Sequence, residues 1–515
     1  MQLAFGVDPL ILGVSALLLG AVITAALAAR PGSWLRVPGA LLFLGIGMVF
    51  GDDGLALISL VDTALVRDLG ILALLVILFE GGLTTKPSDL RLAAVPGILL
   101  ATVGVALTAG ITGLGAWVLL DLDLVTALLV GAVVASTDAA AVFSMMRTTP
   151  LPRRVSAVLR IESGANDPIA VMLTVGLLAT LQGPGVGPGA WVTFALLQLG
   201  GGLAVGGLVG LGGVWLLRHL RLAVGGLYPV LAAAIGGVAY GAAAVLGASG
   251  FVAVYLAGLL IGAMVPRHRR AVLGFHEAMA NAAEIGLFLL LGLLVAPSRL
   301  PAVAGSALAV SALLILLARP VAVWLCSTAS GLRWRERTIV SWAGLRGAVP
   351  IVLATFPLTA GVPGAAALFD VVFFVVLVSV LLQGTTLLPL VRRLGLEDRR
   401  PAWAPVAEAL PLDDVEVDLV ELTITPDLAV TGRSLKEIGP PGPGRVSTLV
   451  RDGRVLVPTG ATRLLAGDVL LLTCARVEGA DPAAEVTAWA RGEPPPARRR
   501  EAPRDPGGAT SVEPT

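Results

Sequence analysis

Residues 162–168 read ESGANDP, that is Glu162-Ser163-Gly164-Ala165-Asn166-Asp167-Pro168, and stand between RRVSAVLRI and IAVMLTVGLLATL. Two carboxylates, an amide, a hydroxyl and a proline interrupt sequence that otherwise suits hydrocarbon. The apolar run after Pro168 is only about fourteen residues, short of the roughly twenty a helix needs to cross a ~30 Å core, so ESGANDP lies at membrane depth. On a helix Glu162 and Asn166 share one face, while Ser163 and Asp167 share the adjacent one. Pro168 has no amide hydrogen for the Gly164 carbonyl, and the stretch reads as a local break offering oxygens at several heights.

The surrounding chain agrees with a membrane setting. Of 515 residues, 56% are hydrophobic and 14% charged, with mean hydropathy +0.90, the balance of an integral membrane protein. Continuous apolar runs, cut at Pro, Gly and charge clusters, give an α-helical polytopic protein of about thirteen spans, the first near residues 9–29 and the last near 365–391; their continuity excludes a period-two β-barrel. With the N-terminus outside, inner loops collect Arg30 and Arg36, Arg153 and Arg154, Arg267, Arg269 and Arg270, and Arg392 and Arg393. Outer loops hold Asp52, Asp53, Asp121 and Asp123 instead, so the positive-inside pattern places the C-terminus in the cytoplasm. Asp8 and the missing basic n-region make the first span a retained one. A formal charge of +1 gives no attraction to nucleic acid, and Cys326 and Cys474 are too few for a disulfide framework. No P-loop is present, and no cofactor is expected.

The composition divides the chain into a transmembrane domain at 1–395, a linker at 396–413, a small cytoplasmic α+β domain at 414–485 and a disordered tail at 486–515. The third part rests on short β-like runs such as VEVDLVELTI and VLLLTC with a short helix at SLKEIG, the last on its Pro- and Arg-rich character.

A carboxylate at membrane depth costs about 2.5–3.5 kcal/mol on insertion scales, so each needs a partner or a task. Asp138 sits mid-span in GAVVASTDAAAVF among small residues, and a helix broken at Ser136-Thr137-Asp138 frees carbonyls that, with the carboxylate, suit a dehydrated monovalent cation. Glu80 and Glu284 line a cavity or pair structurally, and Asp370 belongs near an interface. Arg346, in SWAGLRGAVPIVLATFP, is the expected partner of Glu162, because a buried guanidinium is best satisfied by a carboxylate. That leaves Asp138 and Asp167 for something mobile. ASTDAAA and GLRGAVP occupy corresponding positions if spans 1–6 and 8–13 are repeats; repeats seven spans apart are inverted, and paired broken helices point to a secondary-transporter site.

STDAAAVF, ESGANDPIAV, FHEAMANAAEIGLFLLLGLLV and GLRGAVPIVLA resemble stretches of NhaP-type antiporters of the first monovalent cation:proton antiporter family, over about the first 390 residues. TGRSLKEIG and the sequence through AGDVLLL resemble a TrkA-C (RCK C-terminal) domain, a pairing similar to CvrA-like potassium/proton antiporters. The resemblance implies an NhaA-like fold with inverted repeats and crossed discontinuous helices, a homodimer, and a bacterial inner-membrane location. It also implies exchange of K⁺, or alternatively Na⁺, for H⁺, with a small ligand such as a nucleotide at the C-terminal domain. Carried over by position, Asp167 binds cation and proton, Ser163, Asp138 and the Thr137 carbonyl are further ligands, and Glu162 pairs with Arg346 and reaches the ion through water. Asn166 marks electroneutral exchange; Glu284 departs from the CvrA-like pattern. On this reading burial beside Asp138 lets Asp167 hold a proton or a cation, not both. A channel needs no titrating acid beside paired broken helices, and His219, His268 and His276 lie near span ends, which disfavours a hydrolase.

Overall fold

A computed structural model describes Gly20 and residues 39–57, 62–146, 151–183, 187–222, 224–265, 268–397, 406–412, 415–442, 444–451, 454–475 and 482–494. The expected first span, 9–29, lies outside these apart from Gly20. The chain divides into two compact units, Met1–Asp398 and Arg399–Thr515.

The first unit is helical. In chain order it comprises α1 (Gly39–Phe50), α2 (Thr63–Thr84), α3 (Pro87–Leu99), α4 (Val105–Leu120), α5 (Leu124–Val133), α6 (Ala139–Met145), α7 (Arg153–Gln182) and α8 (Pro188–His219). It continues with α9 (Leu227–Val245), α10 (Gly250–Met264), α11 (Arg269–Leu294), α12 (Leu300–Leu313), α13 (Arg319–Cys326), α14 (Trp334–Trp342), α15 (Ala348–Thr359) and α16 (Ala365–Leu394). A π turn, Leu100–Gly104, joins α3 to α4, and another, Leu314–Ala318, joins α12 to α13. Among the described residues seven helical segments are long and apolar enough to cross a membrane, and four shorter apolar helices accompany them.

Helix starts are capped from the sequence: the Asp62 carboxylate accepts from the amides of Ala64 and Leu65, and Asp123 does the same for Val125 and Thr126. Without water between helices, close approach depends on small residues. At α2 against α10, a Cβ on Gly82 would lie 2.4 Å from the Tyr255 carbonyl oxygen, and one on Gly262 would lie 2.2 Å from that of Leu83. Asp370, buried in α16, pairs with Arg299 at 3.1 Å, as a structural acid near a span end does.

Two expectations about local structure are corrected. ESGANDP is not a break: α7 runs unbroken from Arg153 to Gln182 through Pro168. A proline removes one backbone bond, and packing around a buried helix tolerates that loss at membrane depth. The breaks are elsewhere, at Val134–Asp138 between α5 and α6 and at Ala343–Gly347 between α14 and α15, where ASTDAAA and GLRGAVP had been read as interrupted.

The second unit is a five-stranded antiparallel sheet, β1 (Val406–Leu412), β2 (Val415–Thr423), β3 (Gly444–Arg451), β4 (Arg454–Leu456) and β5 (Val469–Ala475), in the order β1-β2-β5-β3-β4. A one-turn helix, α17 (Leu435–Ile438), falls in SLKEIG, and α18 (Pro482–Arg491) closes the unit. Both expected boundaries shift. The linker 396–413 contains β1, whose Pro411 is tolerated because β1 is an edge strand. The tail 486–515 begins with helix, because Val486 and Ala490 bury themselves against Val420, Leu422 and Leu472. Asp468 accepts from Arg451 Nε and Nη2 at 2.8 and 2.7 Å and from the Leu465 amide at 2.8 Å. Burial works against its ionisation, but these bonds and the Arg451 charge outweigh that and hold the carboxyl below its usual range.

Candidate functional site

The two breaks complete each other's backbone. Helix α5 stops at Val133 and its successor starts only after Asp138, leaving Ala135, Ser136 and Thr137 with carbonyls that no helix satisfies. Arg346, from the other break and 1% exposed, donates through Nη1 to the carbonyls of Ala135 at 2.7 Å and Ser136 at 2.6 Å. In return the Asp138 amide donates to the Leu345 carbonyl at 2.8 Å. A chain from the last membrane helix holds the second break: the Arg346 amide donates to Ser379 Oγ at 3.1 Å, Ser379 to Gln383 Oε1 at 2.5 Å, and Gln383 Nε2 to the Trp342 carbonyl at 2.8 Å.

Asp138 caps α6, its Oδ1 accepting from the amides of Ala140 at 2.8 Å and Ala141 at 3.2 Å. Its other oxygen lies over Gly347, where a Cβ would stand 2.4 Å from it. Only glycine leaves room for the carboxylate there. These two amides occupy Oδ1 and not Oδ2.

Across from the first break, α7 presents its polar residues on two faces, as the spacing required. Ser163 Oγ accepts from the Ala139 amide at 3.1 Å, and Asn166 Nδ2 donates to Thr137 Oγ1 at 2.6 Å and to the Thr137 carbonyl at 3.4 Å. Asp167, 7% exposed, keeps Oδ1 buried and without a hydrogen-bond partner. A buried carboxylate oxygen left in that state calls for a proton or a cation.

These groups open onto a cavity of about 230 Å³, whose wall includes Ser136, Thr137, Asp138, Ser163 and Asp167. Glu80, from α2, and Glu284, from α11, are also in its wall. The wall also holds Arg160 and Phe143.

The expected ion pair is corrected. Glu162 does not meet Arg346: both its oxygens are held by Arg319, through Nη1 and, at 2.9 Å, Nη2, with the pair 1% and 3% exposed. Arg319 Nη2 also donates to the Val340 carbonyl at 3.2 Å. Arg346 meets carbonyls instead, because the first break supplies two within reach of one guanidinium. Glu162, Asn166 and Arg346 are absent from the cavity wall. Sequence reasoning missed Arg319; its signal was an arginine followed by a proline inside LLILLARPVAVWLC.

Known proteins resemble this chain in sequence and in fold. The model of the sodium/hydrogen exchanger transmembrane family matches residues 18–393, and that of the TrkA-C domain matches 419–478. The K(+)/H(+) antiporter NhaP2 of Shewanella baltica strain OS223 is 41% identical over 88% of this chain and 80% of its own length. The K(+)/H(+) antiporter NhaP of Alkalimonas amylolytica is 36% identical over 90% of this chain and 81% of its own. Among solved structures, the sodium proton antiporter MjNhaP1 of Methanocaldococcus jannaschii at pH 8 superposes with a TM-score of 0.65 at 23% identity, covering 75% of this chain and 99% of that one. Its likeness extends to the fold. With a family match across the membrane unit and relatives similar over most of the chain, the protein belongs to the transmembrane sodium/hydrogen exchanger family and carries a TrkA-C domain after its membrane unit.

Proposed function

We propose that the chain is a secondary antiporter that exchanges a monovalent cation for protons across a bacterial inner membrane, with K⁺ as the favoured cation. The observation that carries the reading is the buried, unpartnered Asp167 Oδ1 in a cavity wall shared with Ser163, Thr137 and Asp138. A proton on Asp167 and a dehydrated cation coordinated by Asp167, Asp138, Ser163 and the Thr137 carbonyl relieve the same charge, so they exclude each other. Loading one occupant from each side of the membrane and swapping them is antiport. Glu162 is neutralised by Arg319 and Asn166 is uncharged, so one proton leaves for one cation and the exchange is electroneutral.

The two relatives named as K(+)/H(+) antiporters support K⁺. A Na⁺ reading has the sodium proton antiporter of the same fold in its favour, and oxygen ligands suit both ions. The finer architecture is part of the proposal: thirteen spans, N-terminus outside, inverted repeats with crossed breaks, and a homodimer. Support for the repeats comes from the two helix breaks and from the two π turns, each pair falling seven spans apart in the expected count. Loop arginines support the orientation. The TrkA-C unit is read as regulatory, taking a small ligand such as a nucleotide. Loss of regulation on deleting residues beyond 405 is the expected result, and unchanged regulation sinks that part.

The test of the central reading is Asp167→Asn in inverted membrane vesicles, assayed with K⁺, Na⁺ and Li⁺ across pH. Cation-dependent dissipation of an imposed pH gradient is expected to vanish, and persistence at wild-type rates removes Asp167 from the role.

A further inference from the structure

Among the described residues that line the cavity, Arg160 is the single basic side chain, facing Glu80, Asp138, Asp167 and Glu284. Residues 160, 163, 164 and 167 of α7 all reach the wall, the i, i+3, i+4, i+7 stripe of one helix face. Two turns, or about 10.5 Å of rise, therefore separate the backbone positions of Arg160 and Asp167. The guanidinium is held in place: Nη1 donates to Asp89 Oδ2 at 2.8 Å, and its carbon lies 5.1 Å from the centroid of the Phe143 ring. Asp89, in the first turn of α3, is buried and absent from the wall, so the pair turns its positive end to the cavity.

A guanidinium in the wall of this cavity has no part in the exchange cycle described above. We propose that Arg160 sets the affinity of the site: from the cavity wall it repels the bound cation and keeps binding weak enough for release, while Asp89 and Phe143 hold the charge at its distance. The inference rests on the antiport reading. At a separation like that of the two backbone positions, about 10 Å, a unit charge seen through protein and water changes cation affinity by about two- to ten-fold.

The experiment measures cation-dependent dissipation of a pH gradient by the full chain in inverted vesicles, over a range of K⁺ concentrations, to separate KM from maximal rate. Arg160→Gln is expected to lower KM for K⁺ by about two- to ten-fold without raising maximal rate. Arg160→Lys, which keeps the charge, keeps KM near that of the parent. Because Arg160→Gln leaves the buried Asp89 charge without its partner, the double variant Asp89→Asn/Arg160→Gln repeats the test with no stranded carboxylate; it removes both charges of the pair, and a smaller fall in KM in the same direction is expected, since Arg160 and not Asp89 is in the wall. An unchanged or higher KM in the double variant overturns the proposal, as does Arg160→Lys behaving like Arg160→Gln. Absence of cation-dependent exchange in the parent vesicles overturns the antiport reading instead.

Discussion

The buried pair of Glu162 and Arg319 allows a sharp test of how the membrane unit is held together. Arg319→Met removes the guanidinium from a carboxylate that is 1% exposed, and it also strips the Val340 carbonyl of a donor. Breaking one side of a buried pair costs about 3–5 kcal/mol, because the remaining charge keeps its desolvation penalty. At about 2 °C per kcal/mol for a long chain, the melting midpoint of the purified protein in detergent should fall by roughly 6–10 °C. Replacing both partners, as Glu162→Met/Arg319→Met, removes that penalty, since apolar side chains of similar volume substitute for a buried pair at little net cost. Only the Val340 carbonyl is then left wanting, worth about 1–3 kcal/mol. The double variant is thus expected to melt above the Arg319→Met single variant, although it carries more changes. Four melts, of parent, both single variants and the double, close the cycle. A double variant no more stable than Arg319→Met refutes the reasoning, because the unpaired charge would then not be the source of the loss.

Gly347→Ala places a Cβ 2.4 Å from Asp138 Oδ2 and 2.8 Å from its Cβ, so the carboxylate must leave its cap on α6. A lost cap with a displaced rotamer costs about 1.5–3 kcal/mol, and apparent cation affinity in vesicles should fall roughly 10- to 100-fold; wild-type KM would show that Asp138 does not need its place. In the second unit, Asp468 has its carboxyl held below the usual range, so its contribution to stability is present above the unfolded value near 3.8 and is lost as pH falls through the lower folded value. Protection of the Leu465 amide, taken relative to its intrinsic exchange rate, should fall over that acid window in the parent, whereas in Asp468→Asn it should be low at all pH values. A parent profile flat with acidification would contradict the assignment.

Much of the membrane unit was legible because hydrocarbon imposes one rule, that backbone polar groups be paired within the segment. ASTDAAA and GLRGAVP violate that rule with small residues and charges together, and both are breaks. ESGANDP carried an equally loud proline and is a helix. The difference lies in what faces the freed groups. Each break finds donors and acceptors in the other, whereas around Pro168 only one carbonyl loses its donor and the rest of α7 stays bonded. The partner of Glu162 was hidden for a related reason: two arginines on late segments were chemically eligible, and the choice depends on distances that only packing sets. The boundaries of the second unit failed for want of local signal, since Val406–Leu412 and Pro482–Arg491 owe their order to the sheet they join.

The hydrogen bonds between the two breaks bear on how the protein is made. Arg346 and Ala135 are 211 residues apart in sequence, and neither break satisfies its own backbone. As the chain emerges and enters the bilayer, Ala135 and Ser136 must wait, with open carbonyls, until Arg346 has been synthesised and inserted. A nascent chain that stalls between these points holds exposed polar backbone in lipid, the condition that membrane quality control detects. Formation of the proposed ion site is accordingly a late step of biogenesis, and truncations that end before Arg346 should be cleared from the membrane instead of accumulating as inactive protein.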